Sequence, residues 1–361
     1  MQINIESKIK NYSITIHDNF DFIGELALIN PRAFVIDQNV WIHYESVFNK
    51  YFQKEDVIII EATEINKTVE YALGLCDSIM NVNARKNMTI ISIGGGIVQD
   101  VTGFLASILY RGVNWIYIPT TLLAQSDSCM GSKTSLNYKN FKNLLGTFYP
   151  PNKIYLNAAF TRTLTKMDFY SGIGEIVKLH LMGGKNNIDL ISNKIKELDR
   201  HRENVEFLTE LIKNSLSIKY SYIKDDEFDT GKRNLLNYGH CFGHALEVSS
   251  KYAIPHGIAV SVGMIFANII AVKRGLLSYE IENNILNNIL LHSFDYSFTI
   301  DLFNKETILS ALKMDKKRVG MGLPLIIIQT NFELAKLTDM TDDELFYGID
   351  KVTDLLVKDE N

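Results

Sequence analysis

The sequence predicts an α/β domain with a parallel sheet, followed by a mostly α-helical domain. In the first 160 residues, short β-branched runs at 33–36, 57–61, 88–93 and 115–118 alternate with amphipathic stretches such as 68–81. That alternation is typical of parallel βαβ units. From about residue 163, long amphipathic stretches follow at 172–182, 188–198, 205–223, 258–274 and 278–291. We place the boundary near 161–167 and expect domains at 1–163 and 164–361.

The composition is that of an ordinary globular protein, with 46% hydrophobic and 22% charged residues in a chain of 361. A net charge of −5 without a basic block argues against nucleic acid as a partner. Three cysteines without a pattern favour a reducing compartment. The N-terminal stretch alternates like a strand, and the apolar run 258–272, interrupted by Ser261 and Asn268, is interpreted as a buried helix. We expect a cytoplasmic protein without a membrane partner, and a polar, helical tail after Asn331.

A glycine-rich turn, Gly94-Gly95-Gly96, connects an apolar strand to a helical stretch. Glycines at such a turn let backbone N–H groups approach a pyrophosphate at the positive end of the helix. The turn does not match the dinucleotide-binding pattern G-x-G-x-x-G. A turn without a ligand is therefore the alternative.

Three of the eight histidines lie within one short stretch, at His240, His244 and His256. His240 and His244 are four residues apart, so a helix presents both on one face, where two imidazoles can bind one divalent metal. His256 follows Pro255 at a predicted turn before the apolar helix, from which its side chain can point back at the first pair. The residues indicate a metal site, and the alternative is a set of histidines satisfied by ordinary hydrogen bonds.

Two further groups of polar residues stand between apolar segments. Asp127, Lys133, Lys142 and Asn143 carry the donors and acceptors that a polyhydroxylated anion requires, although a solvated loop is the alternative. Glu175 lies in an otherwise apolar helical stretch, where a carboxylate needs a partner or a metal. Lys178, three residues later, is its nearest local partner.

These motifs occur in an order that resembles the 3-dehydroquinate synthase family, within the wider sugar phosphate cyclases. The resemblance covers roughly residues 30 to 330 and is carried by the following residues: Gly94-Gly95-Gly96 with Asp100, Arg111-Gly112, Pro119-Thr120-Thr121, Asp127-Ser128, Lys133-Thr134, Lys142-Asn143, Glu175 with Lys178, Asn237, Gly239-His240, Gly243-His244-Ala245 with Glu247, His256-Gly257 and Asp315-Lys316-Lys317.

The resemblance implies an N-terminal NAD-binding α/β domain and a C-terminal helical metal-binding domain. It assigns the metal, Zn²⁺ or Co²⁺, to Glu175, His240 and His256. It places His244 at the substrate phosphate, although helical spacing alone would make His244 a ligand. A set of one glutamate and two histidines leaves coordination positions open for substrate, as in catalytic zinc sites.

The implied reaction converts 3-deoxy-D-arabino-heptulosonate 7-phosphate to 3-dehydroquinate and phosphate. It proceeds by transient oxidation by NAD⁺, phosphate elimination, return of the hydride, ring opening and intramolecular aldol closure, so that NAD is not consumed. By position, Asp127, Lys133, Asn143 and Lys178 hold hydroxyls; Lys219 and Arg233 clamp the carboxylate; Asn237, His244, one of Lys316 and Lys317, and Arg111 from the neighbouring subunit of a homodimer hold the phosphate. The NAD positions are Asp37, Asn39, Glu64, Lys67, Gly94, Gly95, Gly96, Asp100, Thr120, Thr121, Lys142, Phe160 and Thr163.

The chain departs from the family pattern at three positions. Ser132 and Gln99 stand where glycine is usual, and Ile258 stands where glutamate is usual. These departures keep open a sister cyclase that acts on a different sugar phosphate. A metal-dependent alcohol dehydrogenase of similar architecture is the alternative from another class.

Overall fold

The computed structural model describes residues 2–82, 85–139, 141–314 and 323–357. The chain forms two compact units. The first comprises Met1–Leu164, Glu203–Glu210 and Ile223–Phe228, and the second comprises Thr165–Arg202, Leu211–Tyr222 and Asp229–Asn361.

The first unit is built on a seven-stranded sheet in which all neighbours except the first pair are parallel. The strand order is β1-β2-β9-β6-β5-β3-β4. The predicted α/β fold class is confirmed. The strands are β1 (Gln2–Ile5), β2 (Tyr12–Ile16), β3 (Arg32–Asp37), β4 (Val57–Ile60), β5 (Thr89–Gly94), β6 (Asn114–Pro119) and β9 (Lys153–Leu156).

The N-terminal stretch that alternates like one strand forms two antiparallel strands, β1 and β2, with Gln2 opposite Thr15. The predicted strands 33–36, 57–61, 88–93 and 115–118 correspond to β3, β4, β5 and β6 within one or two residues. The β-branched and aromatic side chains of β3, β5 and β6 are buried, as expected for central strands with two covered faces, whereas Ile59 on the edge strand β4 is exposed. The helices of this unit are α1 (Phe22–Leu26), α2 (Gln38–Phe48), α3 (Val69–Asn81) and α4 (Gly96–Ile108).

A two-stranded antiparallel hairpin also belongs to the first unit. Strands β7 (Lys133–Tyr138) and β8 (Phe141–Phe148) pair with Lys133 opposite Phe148. This stretch therefore forms strands and not a loop, although Lys133 and Asn143 are exposed to solvent, as the alternative expected. In β7, polar residues alternate with buried side chains such as Leu136, so one face of this strand is polar and the other is buried.

The second unit is mostly helical, as predicted. Its helices are α5 (Lys166–Met182), α6 (Lys185–Ile195), α7 (Leu198–His201), α9 (His240–Ser249), α10 (His256–Lys273), α11 (Tyr279–Asn288), α12 (Lys305–Met314) and α13 (Asp342–Leu356). Helix α8 (Val205–Ile223) contributes residues to both units.

Helix α10 is long and apolar enough to cross a membrane by length and composition, with a mean hydropathy of 1.6. However, 78% of it is buried inside the protein, which is typical of a core helix. The interpretation of residues 258–272 as a buried helix is confirmed. The helix packs closely on α5, since a Cβ at Gly257 would clash with the Ser171 carbonyl oxygen and one at Gly174 with the Gly257 carbonyl oxygen.

The tail of the chain differs from its prediction. Strands β10 (Leu323–Ile328) and β11 (Leu334–Met340) form an antiparallel hairpin before α13, so the helical interpretation after Asn331 is wrong for β11. Residues of β11 alternate in burial only weakly, which explains why their sequence does not read as a strand.

Candidate active site

Three segments of the second unit bring the predicted metal ligands together. Glu175 lies in the middle of α5, while His240 and His256 are the first residues of α9 and α10. The Nε2 atom of His240 lies 3.6 Å from Oε1 of Glu175, and that of His256 lies 3.3 Å from the same oxygen. Ligand atoms bound to zinc at about 2.1 Å in a tetrahedral arrangement lie about 3.4 Å apart. The three side chains therefore fit a divalent metal.

The other ring nitrogens of these histidines are held by neighbouring groups. His240 Nδ1 lies 3.0 Å from the Tyr238 carbonyl oxygen, and His256 Nδ1 lies 3.1 Å from Oε2 of Glu247. Such bonds fix the ring and leave Nε2 to face a metal. Glu247 belongs to the family motif, but the resemblance assigns it no role. Its spacing of nine residues from His256 carries no periodic signal.

Electrostatics favour the protonation states that a metal requires at two of the ligands. Burial, together with the positive charge of Lys178, lowers the pKa of His240 well below its usual value, so this imidazole is neutral. Burial alone would raise the pKa of Glu175. The adjacent Lys178 ammonium and His256 outweigh that effect and lower the pKa, so this carboxyl is ionised. Lys178 and Glu175 form the buried ion pair that their spacing indicated.

His244 lies on the same face of α9 as His240, with ring centroids 5.2 Å apart. One nitrogen from each of His240, His244 and His256 lies within 4.8 Å of the others. This three-histidine cluster contains His244, the ligand expected from helical spacing. The set implied by the resemblance has Glu175 in place of His244. Glu175 lies within 3.6 Å of both histidine nitrogens, and its carboxylate is 1% exposed, so we favour the set that includes it.

The two cations predicted to clamp a carboxylate are both buried in the second unit. Lys219 on α8 is 6% exposed and Arg233 is 5% exposed, whereas Lys232 beside it is exposed. Lys219 and Arg233 are therefore not surface cations. Arg233 and Asn237 lie on one 3₁₀ segment, Lys232–Asn237, which directly precedes α9.

In the first unit, the predicted dinucleotide residues meet at the carboxyl ends of β3, β5 and β6. Asp37 ends β3 and accepts a hydrogen bond from the backbone N–H of Asn39, while the Thr120 N–H donates to the Gly94 carbonyl oxygen. A Cβ at Gly95 would lie 2.9 Å from Cγ2 of Thr121. Ligands of open α/β sheets bind at this edge, and the glycine turn leaves room for a close backbone approach.

Several predicted cofactor and substrate residues share one polar network. Lys67 forms an ion pair of 2.6 Å with Asp100 and donates to Oδ1 of Asn143 at 2.7 Å. The Ser135 hydroxyl lies 3.0 Å from Oδ2 of Asp100 and 2.9 Å from Oδ1 of Asn143, and its single O–H donates to one of the two at a time. Burial raises the pKa of Asp100, and the Lys67 ammonium opposes that shift. Lys142 and Glu64, which are near these residues in the sequence, form a second ion pair, with Nζ of Lys142 3.7 Å from Oε1 of Glu64.

Four other predicted residues of the first unit lie in separate places. Asp127 belongs to a π-helical turn, Ala124–Ser128, and Lys133 is exposed at the start of β7. Phe160 is buried in an aromatic core, so a cofactor contact there would come from its backbone. Thr163 donates to the Phe160 carbonyl oxygen. The roles of these residues stay predictions.

Arg111 is exposed and has a left-handed backbone, with φ of 67°. Its neighbours Tyr110 and Gly112 also have positive φ values, so the turn presents the guanidinium outward. Its predicted contact with a neighbouring subunit stays a prediction. Lys316 and Lys317 lie outside the described residues.

Two of the departures from the family pattern have local compensation. Ser132 has a φ of 66°, a conformation that favours the usual glycine, and its hydroxyl donates to Glu227 at 2.9 Å. The amide of Gln99 donates to the Ser128 carbonyl oxygen, and the Ser128 hydroxyl donates back to Gln99. Gln99 thereby binds the turn that carries Asp127.

Comparison with known proteins extends these observations. The fold is that of the sugar phosphate cyclases. A 2-epi-5-epi-valiolone synthase from Streptomyces hygroscopicus subsp. jinggangensis 5008, solved with NAD⁺ and Zn²⁺ bound, superimposes with a TM-score of 0.86 at 22% identity, covering 97% of this chain and 99% of that one. A 2-deoxy-scyllo-inosose synthase complexed with carbaglucose-6-phosphate, NAD⁺ and Co²⁺ gives 0.82 at 21% identity, covering 98% and 100%.

The chain belongs to the 3-dehydroquinate synthase family. The N-terminal model of that family matches residues 57–171, and the C-terminal model matches residues 172–318. The 3-dehydroquinate synthase of Thermoanaerobacter sp. (strain X514) is 34% identical over 353 residues, which cover 95% of this chain and 98% of that protein. The family resemblance seen in the motifs is confirmed.

His180, on the same helix as Glu175, makes stability depend on pH. It is fully buried, and burial lowers its pKa to about 4 although its ring bonds the Ile176 carbonyl oxygen. The unfolded chain binds this proton near pH 6.5, whereas the folded chain does not. The free energy of unfolding should therefore fall as pH falls from about 6.5 to about 4, by roughly 3 kcal/mol from this residue.

Urea unfolding of wild type and His180→Gln at several pH values measures this difference. The variant should show a shallower loss of stability on acidification. His43→Gln, at an exposed histidine of α2, is the matched control and should keep the wild-type slope. Equal slopes for wild type and His180→Gln would contradict the prediction.

Proposed function

We propose that the protein is a 3-dehydroquinate synthase, which converts 3-deoxy-D-arabino-heptulosonate 7-phosphate to 3-dehydroquinate and phosphate. Family membership over nearly the whole chain supports this activity. The structural observation that carries it is the burial of Lys219 and Arg233, because a substrate with a carboxylate and a phosphate needs a second cationic site. Structures that share only the fold do not decide the substrate.

The cofactors are NAD and a divalent metal, zinc or cobalt. When bound, they supply reversible hydride acceptance and Lewis acidity at a ring carbinol. Glu175, His240 and His256 would hold the metal, with Glu247 and the Tyr238 carbonyl oxygen orienting the two rings. The glycine turn and the residues at the ends of β3, β5 and β6 would hold NAD.

The substrate roles follow from the chemistry of each side chain. Asp127 accepts hydrogen bonds from hydroxyls, and Lys133, Asn143 and Lys178 donate to hydroxyl oxygens. The planar guanidinium of Arg233 suits a carboxylate, with Lys219 as the second cation. The phosphate would be bound by Asn237, His244, Lys316 or Lys317, and Arg111 of the neighbouring subunit.

We also propose the domain limits 1–163 and 164–361, a cytoplasmic location and a homodimer. The first segment of the first unit ends at Leu164, and the two family models meet between residues 171 and 172. Both observations support a boundary in this region. The exposed left-handed turn at Arg111 is suited to an intermolecular contact. Sedimentation analysis that finds only monomer would contradict the dimer.

NAD should be required for turnover but not consumed. Phosphate release from the heptulosonate phosphate should depend on added NAD and stop with a chelator, while NADH absorbance shows no net change. The reason is that the hydride returns to the substrate within each turnover. Parallel assays with sedoheptulose 7-phosphate and with simple alcohols are the comparison.

Two results would replace the proposal. NADH that accumulates in proportion to product from a simple alcohol would favour the metal-dependent alcohol dehydrogenase. Phosphate release from sedoheptulose 7-phosphate, with none from the heptulosonate phosphate, would favour a sister cyclase.

A further inference from the structure

A cleft in the second unit opens beside the His240–His244 face of α9. The apolar part of its lining includes Leu312, Leu323 and Ile326. The polar part includes Asn237, His244 and Lys336. Lys336 lies on β11, in the segment that the sequence did not single out. Among the described residues that line this cleft, Lys336 alone carries a permanent positive charge.

We infer that Lys336 binds the phosphate group of the substrate. The inference rests on the proposed function, because it concerns the anion that the same site receives. Lys336 is an additional cation, which neither the motifs nor the resemblance assigns to the phosphate.

A hydrogen bond ties the ammonium group of Lys336 to another polar residue of the cleft lining. Its Nζ donates to Oδ1 of Asn234 at 3.1 Å, and the side-chain amide of Asn237 donates to the Asn234 carbonyl oxygen at 2.9 Å. Lys336 and Asn237 are therefore tied to the same residue. An ammonium has three donors, so the single bond to Asn234 does not exhaust its capacity for an anion's oxygens.

The surroundings complement an anion through several donors. Lys336 is exposed to solvent, so its charge alone is screened, and the binding of an anion depends on neighbouring donors that act with it. A phosphate offers several acceptor oxygens, and an ammonium, an imidazole and an amide are donors of complementary kind. Lys336, His244 and Asn237 supply one of each.

The test uses the full chain loaded with NAD and Zn²⁺, and inorganic phosphate as the probe. Lys336→Met keeps the aliphatic stem and removes the charge. It should weaken the binding of inorganic phosphate, measured by calorimetry, and raise KM for the sugar phosphate by about ten- to a hundredfold. The melting temperature and most of kcat should be retained, since the contact is made before and during the reaction alike. Lys336→Arg should restore much of the binding.

Two further variants separate binding from structure. Lys313→Met removes an exposed lysine of α12 that lies 3.8 Å from Asp342, and it should leave phosphate binding unchanged. Asn234→Ala removes the tether of Lys336 but keeps the charge, and it should weaken phosphate binding much less than Lys336→Met.

The inference is overturned if Lys336→Met binds inorganic phosphate as wild type does. It is also overturned if Asn234→Ala and Lys336→Met lose stability and kcat to the same extent with phosphate affinity unchanged, since Lys336 is then only a structural tether. Phosphate binding is measured without turnover. Suppose that wild type does not turn over the heptulosonate phosphate, but that Lys336→Met binds inorganic phosphate more weakly than wild type does. The proposed function would then be wrong, and the inference about Lys336 would stand.

Discussion

Glu175→Ala should lose the divalent metal and turnover together, whereas His244→Ala should keep the metal. Glu175 supplies the oxygen that lies 3.3 and 3.6 Å from the two histidine nitrogens, and it is the one carboxylate of the proposed ligand set. Metal affinity should fall by more than about a hundredfold, because losing even an outer partner of a ligand typically costs 10- to 100-fold. His256→Ala should behave like Glu175→Ala.

Metal analysis of the purified variants after dialysis is the measurement, with NAD binding followed separately by fluorescence. NAD binding should be largely intact in all three variants, because the predicted cofactor residues lie in the other unit. Glu282→Ala is the matched control, since Glu282 is also a buried carboxylate of the second unit. It should retain a full complement of metal.

The two candidate ligand sets predict opposite results. If Glu175→Ala keeps stoichiometric metal and His244→Ala loses it, the metal belongs to the three-histidine cluster whose nitrogens lie within 4.8 Å of one another. Full metal in both Glu175→Ala and His256→Ala would end the assignment altogether.

Arg233→Ala should lower kcat/KM for the heptulosonate phosphate by roughly 30- to 1000-fold, equivalent to about 2–4 kcal/mol of transition-state binding. The guanidinium is 5% exposed, so its contact with a carboxylate is made in a largely desolvated place. A planar fork matches a carboxylate with two parallel bonds, which a lysine cannot reproduce. Arg233→Lys should therefore recover only part of the loss.

Steady-state kinetics with phosphate release as the readout measures this effect, and metal content should remain that of wild type. Lys232→Ala is the matched control, because it removes the adjacent but exposed cation. It should change kcat/KM little. An Arg233→Ala enzyme with wild-type kcat/KM would show that the buried cation does not clamp the substrate carboxylate.

Local patterns were sufficient for the fold class and for much of the candidate site. Alternation of β-branched runs with amphipathic stretches predicted the sheet of the first unit, because period-two and period-3.6 burial are properties of each segment alone. The spacing of His240 and His244 predicted their common helix face for the same reason. The strand-to-helix position of the glycine turn likewise follows from its immediate neighbours.

The hairpins could not be predicted in this way. The stretch that forms β7 and β8 is rich in polar residues, and β11 is only weakly alternating, because β8 and β11 bury few of their residues. A strand that is stabilised by its partner carries little signal of its own. The choice between strand and loop or helix was made by pairing.

By itself, the sequence determined that an α/β part precedes a mostly helical part, together with the motif residues and the family to which the chain belongs. Only the tertiary structure decided that Glu175 meets two histidines from separate helices, that Glu247 holds His256, and that Arg233 is buried rather than exposed. The tertiary structure likewise places Lys336, which lies on a strand without a distinctive composition, in the lining of the cleft. The physical reason is that periodicity reports only neighbours along the chain, whereas burial and distance depend on how separate segments pack.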